Sequence, residues 1–311
     1  MSYAQFGLIE AVDFNTFVGG EPTATANTLN AVWSTGSGTA GYGQTAVANV
    51  AVGTSVIATG QWNSLVSNTA SAASHQGTTI TSVTAPVAGG TITYLSAIPT
   101  NLVSIYTNRL NAATQGGTAA NTATQGTNWS AALTFTHTAT FANANAARYF
   151  FNAGGQLKMT VSNPTGTGIN LLFNNLASNV GTVVMSAPAS GTATIVSTAY
   201  PGIAKVGGGG TAPTISANTG YYALTPANVT VFTQTASTGP SGYLSTFIRM
   251  IAKSDASPGG VVTIYTIWDE VPDGLVVTAG AATTMTLVPP ELTNLANSWG
   301  AVTLAGTVTG S

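Results

Sequence analysis

The stretch WSAALTFTHTATF, residues 129–141, decides how the larger part of this chain folds. From residue 133 onward, leucine, phenylalanine, histidine and alanine alternate strictly with threonine. A period of two with threonine on one side is typical of a β-strand that has one buried and one solvated face. The stretch therefore predicts a half-buried strand near the start of a β-rich region.

Further segments downstream have strand character and are separated by turn residues. We predict strands at Gln156–Val161, Gly181–Met185, Thr192–Ser197, Val229–Gln234, Tyr243–Lys253, Val261–Trp268 and Thr283–Val288. Two intervening segments, Asn143–Phe151 and Ile169–Ser178, are predicted to be short helices, the first because it is rich in alanine. We therefore expect residues 129–311 to form a β-sandwich-like domain with two short helices, with an open barrel as the alternative.

The first 115 residues contain a weak internal repeat. Residues 9–18 and 57–66 align without gaps at an offset of 48 residues. The alignment matches Phe14 with Trp62 and Asn15 with Asn63. In each copy the aromatic residue and the apolar residue three positions later fall on one helical face, so each copy predicts a short helix that packs on a partner.

A third helix is predicted over residues 101–113, just after Pro99. We divide the chain into a helical and loop-rich N-terminal assembly region (1–115), a glycine-containing linker (116–128) and the β-rich domain, although a long ordered loop is equally compatible with the linker sequence. The predicted fold class is α+β, mainly β, with the short helices before the sandwich-like domain.

Ionisable side chains are scarce in this chain. Its 311 residues include 6 Lys and Arg and 8 Asp and Glu, with no cysteine, whereas an average soluble chain of this length has about 78 charged residues. Six basic residues cannot neutralise a phosphate backbone, so no nucleic-acid partner is expected. Polar residues interrupt every hydrophobic run, so we predict no membrane insertion. The first residues lack the pattern of a secretory signal, so we expect the product to stay in the compartment of its synthesis.

Long parts of the chain carry no formal charge at all. The 87 residues from Pro22 to Asn108 contain none, and neither does the segment from Val206 to Ile248. Surfaces of threonine, asparagine, serine and alanine can be buried against a neighbour without desolvating ions. A net charge of −2 also favours association. We therefore expect an obligate assembly rather than a free monomer.

Two glycine-rich segments match phosphate-binding loops only by letter. Residues 36–41 read Gly-Ser-Gly-Thr-Ala-Gly, but a helix-like segment precedes them and no acidic residue follows about 20 positions later. Residues 207–210 are four glycines followed by threonine, without the lysine of a phosphate loop. We interpret both segments as connections, and no cofactor is predicted.

Acidic residues cluster once, in the segment from Trp268 to Gly274. The carboxylates of Asp269, Glu270 and Asp273 are ligands of the kind that Ca²⁺ takes, but a calcium site needs about six to eight oxygens and this run lacks the alternating spacing of a calcium loop. A turn with solvated charges is the preferred interpretation. Cation binding by the cluster stays open, and no metal site is predicted.

The sequence offers little for catalysis. His75 and His137 are far apart and neither has a nearby acidic residue, so we expect hydrogen-bonded structural roles for both. No Gly-X-Ser-X-Gly motif marks a serine nucleophile. Few acids are available for the paired carboxylates of a glycan depolymerase. We predict no catalytic residue and no enzymatic activity.

Two arginines lie inside apolar runs. Arg148 belongs to Ala147–Phe151 and Arg249 to Phe247–Ile251. Arginine in such a setting usually meets a carboxylate or backbone carbonyl groups in a fork geometry. We expect both to be internal or interface struts, with ligand binding as the alternative.

Several motifs together resemble those of virion structural proteins from marine tailed phages, especially contractile-tailed cyanophages. The main one is FANANAARYFFNAGG, residues 141–155, preceded by Trp129 and the first predicted strand. The aromatic–asparagine segments Asp13-Phe14-Asn15 and Trp62-Asn63 are similar to those proteins, and so is YTIWDEVPDG, residues 265–274. Together the motifs cover most of the chain.

The resemblance implies a non-enzymatic, multi-copy part of a phage particle: a tail fibre, a tail appendage or a peripheral baseplate protein. A head decoration or head-fibre protein is an alternative within the same class. A cell-surface adhesin or lattice protein is an alternative of another class. Expected partners are further copies and other virion proteins, with a host surface receptor as a further candidate, in a virion assembled in the host cytoplasm. Structural or interface roles are expected for Phe14, Asn15, Trp62, Asn63, Trp129, Arg148, Tyr149, Phe150, Phe151, Arg249 and Trp268.

Overall fold

A computed structural model describes residues 11–19, 27–51, 59–85, 87 and 96–310. Within them the chain is mixed α+β with more strand than helix, which confirms the predicted fold class. The α-helices are α1 (Ala11–Val18), α2 (Leu29–Trp33), α3 (Thr59–Gln76), α4 (Ala97–Thr107), α5 (Ala144–Asn152) and α6 (Ile169–Val180), and Tyr221–Ala223 form a 3₁₀ turn.

The strands form two larger antiparallel sheets and one hairpin in a sandwich-like arrangement. The five-stranded sheet has the order β1 (Ala119–Thr124), β12 (Ala282–Val288), β3 (Gln156–Ser162), β4 (Thr182–Met185) and β7 (Ile203–Val206). The six-stranded sheet has the order β13 (Thr303–Gly310), β2 (Ala132–Thr140), β11 (Val261–Asp269), β10 (Phe247–Ser254), β9 (Val229–Thr235) and β8 (Thr214–Ile215). The hairpin is β5 (Ala193–Ile195) with β6 (Thr198–Tyr200).

The predicted linker is in part a strand. Within residues 116–128, β1 pairs with β12 along its whole length, a strand that the sequence analysis did not predict. Only Ala123 of β1 is buried, which leaves no apolar alternation for the sequence to display. Backbone pairing with β12, rather than side-chain burial, holds this strand in the sheet.

The helical region differs in its boundaries from the prediction. The helix predicted at 57–66 is the much longer α3, and the one predicted at 101–113 is α4, which begins at Ala97 with Pro99 in its first turn. Proline is tolerated there because the first backbone amides of a helix have no intrahelical acceptor. Residues 9, 10, 57 and 58 of the repeat lie outside the described residues.

One cluster of buried apolar side chains joins both predicted regions. It includes Phe14 of α1 and Trp62 of α3 together with Trp268 of β11, all fully buried. Burial of large aromatic side chains is the main favourable contribution to such a core. The helices and the sheets therefore share a core.

Strand register defines two ends of the sandwich. Asp269 of β11 lies opposite Phe247 of β10 and Ala132 of β2, so several connections gather at one end. This "loop end" comprises residues 125–131, 163–168, 236–246 and 270–281. At the opposite "helical end", the N-terminal region contacts the sandwich; the Gln44 side chain, for example, donates to Ala296 O at 2.8 Å and accepts from Ala296 N at 2.9 Å.

Candidate functional site

The two aromatic residues of the repeat are in contact with each other. Phe14 and Trp62 are fully buried and meet edge to face, with ring centroids 5.3 Å apart. Asn15 donates to Val50 O at 2.9 Å and accepts from Val50 N at 2.8 Å, whereas Asn63 is exposed. The aligned aromatic residues thus share a packing role, and the aligned asparagines do not.

The predicted tryptophans of the β-rich domain are core residues. Trp129 and Trp268 both contact Phe173 of α6, with ring centroids 4.9 and 5.8 Å from the centroid of its ring. Both tryptophans are at most 2% exposed. Their part in the molecule is to pack α6 against the six-stranded sheet.

The aromatic run of α5 packs in two directions. Phe150 and Phe151 are fully buried, and the Phe151 ring stacks on Tyr221 with centroids 4.3 Å apart. Tyr149 instead lies against Gly43, where a Cβ atom would be only 2.4 Å from the ring. Because Gly43 also has φ +69°, a left-handed conformation that favours glycine, this contact needs glycine.

Arg148 holds the loop of residues 34–41 against α5. Its Nε and Nη2 donate to the carbonyls of Gly38, Ala40 and Thr35 at 3.3, 3.2 and 3.4 Å. The Tyr222 hydroxyl donates to the same Gly38 carbonyl at 2.6 Å. This loop contains the glycine-rich segment 36–41, and its carbonyls are bound by the protein's own side chains. Arg148 thus has the carbonyl partners considered for it from the sequence.

We predict that Arg148→Ala releases this loop. The free energy of unfolding should fall by about 1–2 kcal/mol, because a charged donor loses several hydrogen bonds at a partly exposed site. Arg148→Lys should restore little, since an ammonium group lacks the planar fork. Urea unfolding and hydrogen exchange of amides 35–41 measure the effect. The control Arg249→Ala should leave exchange in this loop unchanged. Unchanged exchange in the Arg148→Ala variant as well would refute the proposed role of Arg148.

Arg249 is not internal. It lies half-buried on the outer face of β10, with its guanidinium 4.3 Å from the centroid of the Phe247 ring. Strict alternation along β10 turns Ile248 and Met250 inward and the arginine outward. The apolar run around Arg249 did not reveal this outward direction, and the interface role expected for Arg249 stays a prediction.

A buried histidine–carboxylate pair was missed by the sequence. His75 Nδ1 lies 3.2 Å from Glu291 Oε1, and Nε2 lies 3.1 Å from the carbonyl oxygen of Ala153. The pair is separated by 216 residues, so no local pattern could have revealed it. Glu291 also accepts from the backbone amides of Thr293 and Asn294, which fixes the β12–β13 connection to α3.

The protein itself supplies a partner for each ring nitrogen of this histidine. His75 is fully buried, and both of its ring nitrogens already have protein partners. A general base needs a free nitrogen within reach of the proton that it takes.

The acidic cluster does not converge on one point. Glu270 is fully buried and accepts from Leu275 N at 3.1 Å, while Asp269 is half-buried and Asp273 exposed. Burial raises the pKa of both Asp269 and Glu270 above the ordinary values. In the part of the chain that the structure describes, no three histidine, aspartate or glutamate residues are placed to hold a metal ion.

An apolar cavity beside α3 contains no ionisable side chain among its described lining residues. A space of about 390 Å³ lies between α3, residues 78–83 and the start of α4. Its described lining consists of apolar residues, serine, threonine and Asn101. No ionisable side chain among them could act as an acid, a base or a ligand for charge.

The loop end displays apolar side chains that the sequence analysis did not single out. Leu244, Leu275 and Val276 are 50%, 36% and 61% exposed. Leu171, at the start of α6, is 47% exposed, and the preceding Asn170 accepts from Thr278 N of the loop end at 2.8 Å. Nothing in the sequence pattern around these residues indicated that their side chains would be exposed.

Comparisons with known proteins give no relative. No family model matches the chain, and searches of curated proteins and of solved structures find no match. Among the residues that the structure describes, no helix has the length and apolarity required to cross a bilayer.

Proposed function

We propose that this chain is a non-enzymatic structural component of a bacteriophage particle, present in many copies as a tail fibre, a tail appendage or a peripheral baseplate protein. The observation that carries the proposal is the scarcity of charge: 14 ionisable acidic and basic residues in 311. Surfaces without charge can be buried permanently against neighbours at little desolvation cost. The motifs shared with virion structural proteins support the same class.

The few charges that the chain has are partly used inside the fold. Glu291 binds His75, and Arg148 binds loop carbonyls. Arg109 donates from Nε to Thr39 O at 3.0 Å and lies 4.6 Å from the centroid of the Tyr106 ring. These groups stabilise intramolecular contacts, which leaves still fewer charges to keep copies apart in solution.

The site geometry supports a role without turnover. The histidine that has an acidic partner has no free ring nitrogen. The acidic residues of the one cluster differ in burial and direction rather than meeting in a cleft. We therefore assign binding and assembly, rather than a reaction, to the exposed surface, with the host receptor as a candidate partner at the loop end.

Mass spectrometry of purified particles tests the proposal. For the phage that encodes this chain, we expect its peptides among the abundant virion proteins and an assembly rather than a monomer in sedimentation at micromolar concentration. Absence from particles would overturn the proposal. Recovery from a cell-surface fraction instead would favour the adhesin alternative, and recovery with isolated heads would favour head decoration.

A further inference from the structure

We propose that β1 and β13 form the interface between two copies of this chain, each strand pairing antiparallel with the same strand of the second copy. The two larger sheets would then continue from one copy into the other. This inference rests on the proposed multi-copy function and assigns the contact that such a function needs.

The open edge of the six-stranded sheet is β13. All eight residues of this strand pair with β2 on one side. On its other side, the described residues provide no backbone hydrogen-bond partner. Edge strands are normally protected by charges, proline, bulges or short length, but Thr303–Gly310 is long, regular in register, uncharged and free of proline.

The open edge of the five-stranded sheet lies beside it. Asn121 of β1 is adjacent to Gly306 of β13, because a Cβ atom added to Gly306 would lie 2.4 Å from Asn121 Oδ1. Glycine is therefore what allows the two edges to approach so closely. β1 pairs on one side with β12, and its sequence, AANTAT, also lacks charge and proline. Two unprotected edges thus run together along one side of the sandwich.

The opposite edges carry the protection that these two lack. β8 has only 2 residues. β7 has 4, among them Lys205, whose Nζ donates to Gly209 O at 3.2 Å. Short length and an edge lysine both disfavour pairing with another chain. The asymmetry indicates one associating side and one protected side.

A second copy is the occupant that fits both edges at once. Antiparallel pairing of identical strands obeys two-fold symmetry, the commonest symmetry of homo-oligomers. One two-fold axis perpendicular to the sheets can pair β13 with β13 and β1 with β1, because the two edges lie side by side. Neither strand bears a charge, so two copies meet without repulsion, and backbone hydrogen bonds supply the attraction.

Cysteine cross-linking tests this geometry directly, since the chain has no cysteine of its own. Single variants Thr303→Cys, Ala305→Cys, Thr307→Cys and Thr309→Cys all place a thiol at an exposed position of β13. A two-fold axis predicts that a short bis-maleimide gives most covalent dimer at one central position and progressively less toward the strand ends. Thr230→Cys, exposed on β9, is the control. Yields on β13 no higher than this control would overturn the interface.

Charge substitution provides the second measurement. Ala305→Lys combined with Thr307→Lys sets like charges opposite each other across the two-fold axis, and should raise the dissociation constant at least about tenfold. Mixing this variant with Ala305→Glu/Thr307→Glu should restore association. Thr230→Lys/Thr235→Lys on β9 should sediment like the parent chain, and circular dichroism checks folding.

The outcomes separate the interface from the proposed function. Unchanged sedimentation of the folded β13 lysine variant would overturn the interface even if the chain is abundant in particles. Conversely, if the chain dimerises through β13 but is absent from particles, the virion function is overturned and the proposed interface still holds.

Discussion

Replacement of Trp268 by alanine is expected to lower the free energy of unfolding by about 3–5 kcal/mol. The Trp268 side chain is fully buried between the six-stranded sheet and α6, with its ring centroid 5.9 Å from Phe135 and 5.8 Å from Phe173. Alanine would remove these contacts and leave a cavity that the surrounding aromatic residues cannot fill without moving. Equilibrium urea unfolding measures the change.

Two controls define this first prediction. Leu292→Ala removes an apolar side chain that is 58% exposed, so its cost should stay within about 0.5 kcal/mol. Trp268→Phe should cost less than the alanine variant, because Nε1 of Trp268 has no hydrogen-bond partner among the described residues and its loss breaks no bond. A cost below about 1 kcal/mol for Trp268→Ala would contradict the core assignment.

Replacement of Glu291 by alanine should cost about 3 kcal/mol at neutral pH, because removal of one partner leaves the other polar groups of a buried pair without compensation. The groups affected are His75 and the amides of Thr293 and Asn294. Glu291→Gln should destabilise the fold less than Glu291→Ala. The glutamine amide can donate to His75 Nδ1, and its oxygen can still accept from the backbone amides of Thr293 and Asn294. Urea unfolding at pH 7 compares the variants, with exposed Asp273→Ala as control.

The same pair gives a pH dependence with a definite sign. Burial acts to raise the pKa of Glu291, but hydrogen bonds from Asn294, Thr293 and His75 outweigh it and hold that pKa below the ordinary value of 4.5. A depressed pKa stabilises the folded state above about pH 4.5 and loses that contribution as the pH falls through the folded-state pKa. The difference between the parent chain and Glu291→Gln should shrink from pH 6 to pH 3. A stability difference between the two chains that does not change with pH would contradict a depressed pKa of Glu291.

The strands that the sequence predicts are those with large alternating side chains. β2, with Leu133 and Phe135 turned inward, shows this pattern, and β10 and β11 do as well. β1 escaped prediction because it carries only alanine, asparagine and threonine, and β13 because its inward positions alternate Leu304 and Val308 with glycine, so both strands bury little apolar area. Strands held mainly by backbone pairing give little hydrophobic signal. The short strands β6, β7 and β8 were not predicted either, because two to four residues are too few to show an alternation.

How well the sequence predicts a contact depends on how far apart its residues lie along the chain. The internal repeat matched Phe14 with Trp62 and predicted that each packs on a partner, but it did not predict that the two rings contact each other. Glu291 and His75 are in contact without any pattern that relates them. The loop bound by Arg148 lies about 110 residues before it. Such pairings follow from tertiary structure, which a single sequence does not display.

Localisation of the chain in an electron-microscopy map of the purified particle is the most direct test of the proposal that it is a structural protein in permanent contact with its own copies. The proposed account predicts multiple symmetry-related copies on the particle, with β13 of one copy beside β13 of the next in a shared sheet. Density for the chain as isolated single copies, or no density for it anywhere on the particle, would contradict that account.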